Sequence, residues 1–257
     1  IPQIAMATSP QYTAQGFRTT FRAMTSDTQQ GGVMGSFAVG KLGAKAIAII
    51  ADRTAYGQGL ADEFEKAVKA VGGSIVKREF TNDKAVDFRA ILTSIKKSGA
   101  DLIFFGGADA QGGAMAAQMR ELGLKAQFVG GEMLKSPKFI ELAGASAEGT
   151  IASLAGLPLD RMPGGPGYAA KYKAKFNAEV EIYSPYSYDA TRVMVAAMQR
   201  ADSTEPAKYL PELAKTKLPG ITSANNEYDE KGDLKAGGIT VYQVQKGTWF
   251  VLETAGI

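Results

Sequence analysis

From residue 46 to residue 154 the sequence repeats one rhythm, a short apolar run followed by a stretch with helical periodicity. Ala46-Ile-Ala-Ile-Ile50 is followed by Leu60, Phe64, Ala67, Val68 and Val71, which share one helix face. Ser74-Ile-Val76 precedes Phe88, Ile91, Leu92 and Ile95, again on one face, and Leu102-Ile-Phe-Phe105 precedes a helix near Gly112 to Leu122. After Gln127-Phe-Val129 a short helix is expected, opened by Ser136 as cap and Pro137 in the first turn and ended by Gly144. Thr150 to Leu154 supplies a further strand. Strands alternating with helices at this spacing predict an α/β fold built of βαβ units around a parallel sheet. The runs carry no polar alternation, which predicts strands buried on both faces.

The flanks behave differently. Residues 1–25 hold a strand-like run from Ile4 to Met6, a turn, and Thr19-Thr-Phe-Arg22 ahead of a helix beginning near Asp27. Residues 155–238 hold a Pro/Gly-rich stretch, a helix through Tyr172 and Phe176, a second through Val193 to Met198 and a third near Pro206 to Lys215. Ile239 to Leu252 reads as two strands joined by a Lys246-Gly247 turn. The expected division is a complete domain of residues 26–151 plus 239–257, and a second assembled from 1–25 plus 152–238. Hinge crossings are then expected near 25, 152 and 239.

Composition narrows the chemistry. None of the 257 residues is cysteine or histidine. That excludes a disulfide, a zinc ribbon, haem ligation, a thiol nucleophile and a Ser-His-Asp triad. Carboxylate-held Mg or Ca, lysine or carboxylate chemistry, or binding with no chemistry at all, remain. Basic and acidic residues number 29 and 26 and are interspersed. The densest basic stretch, Lys171 to Lys175, is a solvated helix face rather than a nucleic-acid surface, so no nucleic-acid partner is expected. No apolar run approaches the roughly 18 residues of a membrane span. The sequence opens on Ile1-Pro2 with no initiator methionine and no signal peptide, which reads as a processed or cut polypeptide.

In open α/β sheets, ligands bind beyond the carboxyl ends of the strands. That rule selects Asp52 and Tyr56, then Gly106-Gly107-Ala108-Asp109, then Gly130-Gly131-Glu132. Tyr56 offers a hydroxyl and Glu132 a negative charge. The competing readings are packing over the strand end for Tyr56, and a surface or helix-dipole carboxylate for Glu132. In the N-terminal flank, Ala7-Thr8-Ser9-Pro10 places a hydroxyl pair at a strand end, with a helix expected to start at Ser9-Pro10. Helix-start N–H groups and the Thr8 hydroxyl would form an anion site; simple capping is the alternative. One wall with anion-binding donors and another with a carboxylate match a zwitterion such as an amino acid. Tyr56-Gly-Gln-Gly59 looks like a dinucleotide fingerprint, but Asp62 stands where its third glycine belongs and would oppose a pyrophosphate. Asp229-Glu-Lys-Gly-Asp233 lacks calcium-loop spacing and is expected to be a turn.

Taken in order, Ala7-Thr8-Ser9-Pro10, Phe21-Arg22, Asp27-Thr-Gln-Gln-Gly31, Tyr56-Gly-Gln-Gly59, Asp87-Phe88, Asp101 to Gly107, Glu148-Gly149, Tyr188-Asp189-Ala190 and Asp229 to Lys235 carry a resemblance. The chain resembles periplasmic solute-binding proteins of the leucine–isoleucine–valine class, which feed ABC importers. The resemblance covers essentially the whole chain. It implies the type I periplasmic-binding fold, with two Rossmann-like lobes that close on an amino acid without catalysis and without a cofactor or metal. The implied partners are an amino-acid ligand and the membrane subunits of the importer, in the periplasm. Matching positions imply that Ala7 and Thr8 hold the ligand carboxylate, that Glu132 with Tyr56 meets the ammonium, and that Tyr183 lines the side-chain pocket. Ala108 stands where branched-chain binders often carry an aromatic residue, which implies a larger or more open pocket.

Members of this class begin roughly a hundred residues earlier, with the first βαβ units of the first lobe. The expectation is therefore an incomplete first lobe whose apolar surface is covered by self-association or another packing arrangement. A ligand-sensing domain of a regulator or receptor is the alternative function, since the same fold serves both.

Overall fold

The computed structural model describes residues 1–235 and 237–256; Ala236 and Ile257, which fall inside the two expected domains, lie outside the described residues. The chain opens with β1 (Gln3–Ala5), the single-turn α1 (Gln11–Ala14) and β2 (Thr20–Arg22). There follow α2 (Asp27–Gly40), β3 (Ile47–Ala51), α3 (Ala55–Ala70), β4 (Ile75–Phe80) and α4 (Arg89–Ser98). Next come β5 (Leu102–Gly106), α5 (Asp109–Glu121), β6 (Gln127–Gly130), α6 (Pro137–Ala143) and β7 (Ile151–Ala155). Then α7 (Gly165–Phe176), α8 (Ser184–Arg200), α9 (Pro206–Ala214) and the short β8 (Lys217–Leu218) and β9 (Asn226–Glu227) precede β10 (Ile239–Gln245) and β11 (Thr248–Ala255). Two compact units result: a central unit of Asp27–Leu154 with Ile239–Gly256, and a flanking unit of Ile1–Ser26 with Ala155–Gly238. No helix of the described residues is long and apolar enough to cross a membrane.

In the central unit seven strands form one sheet in the order β11-β10-β7-β6-β5-β3-β4. The run from β4 to β7 is parallel, and β10 and β11 pair antiparallel. Successive side chains of a strand point to opposite faces, and β3 shows it cleanly. Ile47, Ile49 and Ala51, with Phe104, pack with Met34 of α2 and Leu60, Phe64 and Val68 of α3. Ala48 and Ile50, with Ile103 and Phe105, pack on the other face with Leu92 and Ile95 of α4 and Met115 of α5. Every residue of β3, β5 and β7 is buried, as strands covered on both faces require. Phe64 and Phe104 stack with ring centroids 3.8 Å apart.

Helices α2 and α3 approach closely because α2 presents glycines to α3. A Cβ at Gly35 would stand 2.6 Å from that of Ala67, and one at Gly31 would stand 2.7 Å from that of Glu63. The strand expected at Ser74-Ile-Val76 continues through Lys77, Arg78 and Glu79 to Phe80, because β4 is an edge strand and half-exposed. Arg78 bridges Asp62 and Glu65 of α3 and lies over the Phe80 ring. Burial pushes the Glu65 carboxyl up, but hydrogen bonds from Lys69 and Arg78, and their charges, outweigh it and hold the group below its ordinary 4.5. The β10–β11 turn has positive φ at both Lys246 (52°) and Gly247 (73°), which fits the twist of a two-residue hairpin.

In the flanking unit β1 and β2 form a two-stranded parallel sheet, in register Gln3 with Thr20 to Ala5 with Arg22. Its core gathers Phe21, Val193, Ala197, Leu213 and Tyr228, with Phe21 edge-on to Tyr228 at 5.0 Å. The flanking unit holds two separate two-stranded sheets, β1 with β2 and β8 with β9, against one seven-stranded sheet in the central unit, as expected of an incomplete lobe. Phe17, Phe176, Tyr188 and Val195 are left exposed on it. Helix α8, expected through Val193 to Met198, runs from Ser184 to Arg200, with Tyr183 at its cap, no side-chain capping bond and Pro185 in its first turn. Helix α5 likewise starts at Asp109 rather than near Gly112.

Two outcomes check this packing. Gly35→Val should lower stability by about 1–3 kcal/mol through overpacking against α3. Gly32→Ala, where a Cβ meets nothing within 4 Å, should raise it by about 0.5–1 kcal/mol; urea midpoints measure both. Because the folded pKa of Glu65 is depressed, its contribution is full above the ordinary 4.5 and is lost as pH falls through the lower folded value. The urea midpoint should therefore drop on acidification below pH 4.5, and Arg78→Met should flatten that limb.

Candidate functional site

The central unit turns to opposite sides of β3: β4 pairs on one edge and β5 on the other. The carboxyl ends of β3 and β5 thus flank a topological switch point. Asp52 leaves β3 buried, and its N–H donates to the Gly106 carbonyl at 3.0 Å. The Asp52 carboxylate accepts from Thr54 N–H at 2.9 Å and from Thr54 Oγ1 at 2.7 Å. Thr54 Oγ1 in turn accepts from Gly57 N–H at 2.9 Å, capping α3. Asp52 is thereby committed to closing its own loop.

The Tyr56-Gly-Gln-Gly59 segment is the first turn of α3, not a phosphate loop. A Cβ at Gly57 would lie 2.2 Å from Asp52 Oδ1 and 2.4 Å from the Gly106 carbonyl, so the space a pyrophosphate would need is filled by protein. Asp62, which broke the fingerprint, is the Arg78 partner.

Tyr56 and the loop after β6 come together. Met133 N–H donates to Tyr56 Oη at 3.4 Å, and a Cβ at Gly131 would stand 2.6 Å from that oxygen. Glu132 lies in a short 3₁₀ turn, 2% exposed, a carboxylate held inside the protein at a strand end. The same loop is pinned from two sides: Ser136 Oγ donates to Asp109 Oδ2 at 2.6 Å, and Trp249 Nε1 donates to the Ser136 carbonyl at 3.0 Å. Ala108 is the capping residue before α5, half-buried, its carbonyl accepting from Gly112 N–H at 2.9 Å. Tyr56, Ala108 and Glu132 therefore follow β3, β5 and β6 at one edge of the sheet.

Ala7, Thr8 and Tyr183 belong to the flanking unit. Thr8 is 3% exposed. The expected helix start at Ser9-Pro10 is corrected: α1 is one turn, Gln11–Ala14, with Pro10 at its cap and no side-chain capping bond. Gly16, at φ 79°, lies just past it. A single turn carries almost no dipole, so a helix start contributes little to anion binding here. What holds the segment is Arg22, which no strand-end or helix-start rule selects. Its guanidinium donates to the carbonyls of Ala7 and Ser9, to Thr13 Oγ1 and to Asp233 Oδ1. A charged residue inside the buried triplet Thr20-Phe21-Arg22 was the available signal.

Tyr183 sits at the cap of α8, half-buried, its carbonyl accepting from Ser187 N–H at 3.0 Å, and α8 packs against β1. Asp189 of α8 is buried and accepts from Ile221 N–H, Thr222 N–H and Thr222 Oγ1 at 2.7–2.8 Å. The Asp229–Asp233 segment is a turn, Asp229 Oδ1 accepting from the N–H groups of Lys231 and Asp233. No group of three or more metal-ligand residues occurs among the described residues.

Residues 1–248 match the family described as periplasmic binding protein. The chain belongs to that family. Among periplasmic binding proteins, the Leu/Ile/Val-binding protein homolog 1 of Brucella suis is 36% identical over 243 residues, 94% of this chain and 64% of that protein. The leucine-, isoleucine-, valine-, threonine- and alanine-binding protein of Pseudomonas aeruginosa is 31% identical over 240 residues, 93% and 64%. This chain thus spans under two thirds of the length of these relatives. A solved structure of a leucine binding protein from Thermotoga maritima matches with a TM-score of 0.92 at 27% identity, covering 100% of this chain and 73% of that one.

Proposed function

We propose that this periplasmic binding protein is the extracytoplasmic solute-binding component of an ABC importer. It takes up and releases a branched-chain or related α-amino acid without transforming it and without a cofactor. The observation that carries the reading is Glu132, a carboxylate buried at a strand end beside the Tyr56 loop. A buried carboxylate favours a cationic group, so Glu132 with Tyr56 is assigned to the ligand ammonium. Ala7 and Thr8 are assigned to the ligand carboxylate, Tyr183 to the side-chain pocket, and Ala108 to a wide opening in that pocket. The names of the relatives support the amino-acid class, and the importer's membrane subunits follow from the same reading. The domain division carried by this reading is residues 26–151 plus 239–257 against 1–25 plus 152–238.

Calorimetry with leucine, isoleucine, valine, phenylalanine and small aromatic acids, on this chain and on a chain of the relatives' full length, tests the assignment. Binding should be weak on the former and restored on the latter. Glu132→Gln should weaken it by about a hundredfold, the scale of truncating one partner of a buried charge pair. No heat from any amino acid on the longer chain, or undiminished binding in Glu132→Gln, removes the proposal. Self-association is a second component: exposed Phe17, Phe176, Tyr188 and Val195 give the flanking unit an apolar surface suited to another copy. Light scattering should show a mass above the monomer, and a clean monomer removes that component.

A further inference from the structure

Arg22 is the largest fully buried side chain among the described residues, a cation with 1% of its side chain exposed. Its one carboxylate partner, Asp233, meets Nε at 2.7 Å, and the Asp233 side chain is itself partly exposed. Burying a guanidinium in this way is poor value as a stabilising device, since desolvation offsets most of the ion-pair gain. The planar fork of donors suggests geometry as its use. Nη1 donates to the Ala7 carbonyl and, at 3.0 Å, to the Ser9 carbonyl, while Nη2 donates to Thr13 Oγ1 at 2.9 Å. Thr13 Oγ1 donates onward to Asp233 Oδ1 at 3.0 Å. The Tyr12 ring covers the guanidinium, 5.8 Å from its centroid.

The two carbonyls so held flank Thr8. A trans peptide is planar, with its C=O and N–H pointing in opposite directions. Drawing the Ala7 carbonyl toward Arg22 therefore turns the Thr8 N–H away from the guanidinium. Drawing the Ser9 carbonyl in as well fixes the Ser9–Pro10 peptide, so the Thr8–Ser9 peptide between the two is held at both ends with no help from a longer helix.

We infer that Arg22, anchored by Asp233, is the positioning residue of the Ala7–Ser9 segment and presents the Thr8 N–H to the carboxylate of an α-amino acid. The role rests on the assignment of Ala7 and Thr8 proposed above. Arg22 does not itself touch the ligand; it acts through the orientation of two peptide groups. Asp233 contributes the negative charge that allows a guanidinium to remain there, and it is brought by the Asp229–Asp233 turn, where Gly232 accepts from Arg22 N–H at 2.8 Å.

Two readouts test this on Arg22→Met, Arg22→Lys and Asp233→Asn. The first needs no ligand: hydrogen exchange of the Thr8 amide should accelerate about tenfold or more in Arg22→Met, with the Phe21 and Val193 amides unchanged. The second is calorimetry of L-leucine against L-leucinamide, which lacks the carboxylate, on the leucine-binding form of the protein. Arg22→Met should reduce the leucine-to-leucinamide affinity ratio about tenfold, roughly the loss of one charge-assisted contact. Arg22→Lys, a point charge without the fork, should restore only part of each effect, and it carries the test if Arg22→Met does not fold. An unchanged Thr8 amide, a uniform acceleration across the flanking unit, or an equal loss for leucine and leucinamide overturns the inference. If the unsubstituted protein gives no heat with leucine, the amino-acid assignment fails, and the exchange readout alone decides whether Arg22 positions the segment.

Discussion

Because β3, β5 and β7 are enclosed by helices on both faces, their backbone polar groups find partners only along the sheet. No side chain in the middle of these strands meets solvent, and polar chemistry is pushed to the strand ends. There the loops must pass very close to one another. Gly57 against Gly106, and Gly131 against Tyr56 and Leu60, are contacts that leave no room for a Cβ. The carboxylate of Asp52 and the hydroxyl of Thr54 are used up in making the first of these approaches possible. What remains for a ligand is the set that the loops carry on top of them.

The two units hold their loops by different physics. The central unit uses close packing: glycines, a capped helix and a loop braced by Asp109 and Trp249. The flanking unit has little sheet to pack against and relies on one buried cation with four acceptors. A packed loop tolerates small changes in charge but not in volume; the Arg22 loop should show the reverse sensitivity.

Much of the central unit was legible in the sequence because its signals are local. Ala46-Ile-Ala-Ile-Ile50 became β3 with a one-residue displacement, and Ser136 and Pro137 marked α6 at the residue. The strand-end rule pointed to the loops after β3 and β6, and the structure joins them through Tyr56 and Met133. Elsewhere the local signal is weak or the decisive partner is distant. Pro185 stands in the first turn of α8 as Pro137 does in α6, but Tyr183 caps α8 with no side-chain bond, so its start lacks the serine cap that marks α6. Helix α1 stops after one turn, although the sequence around Ser9-Pro10 suits a longer helix. The partner of Arg22 lies 211 residues away, beyond any periodicity or motif spacing.

That separation also has a temporal meaning. Arg22 gains its carboxylate only when a turn 211 residues further along the chain has come back to it. Until then β2 carries a guanidinium that has nothing to enter the core with. The central unit waits in the same way, because β10 and β11 join its sheet from beyond that turn. Each unit is thus stitched from distant stretches of chain, and neither closes as a local event.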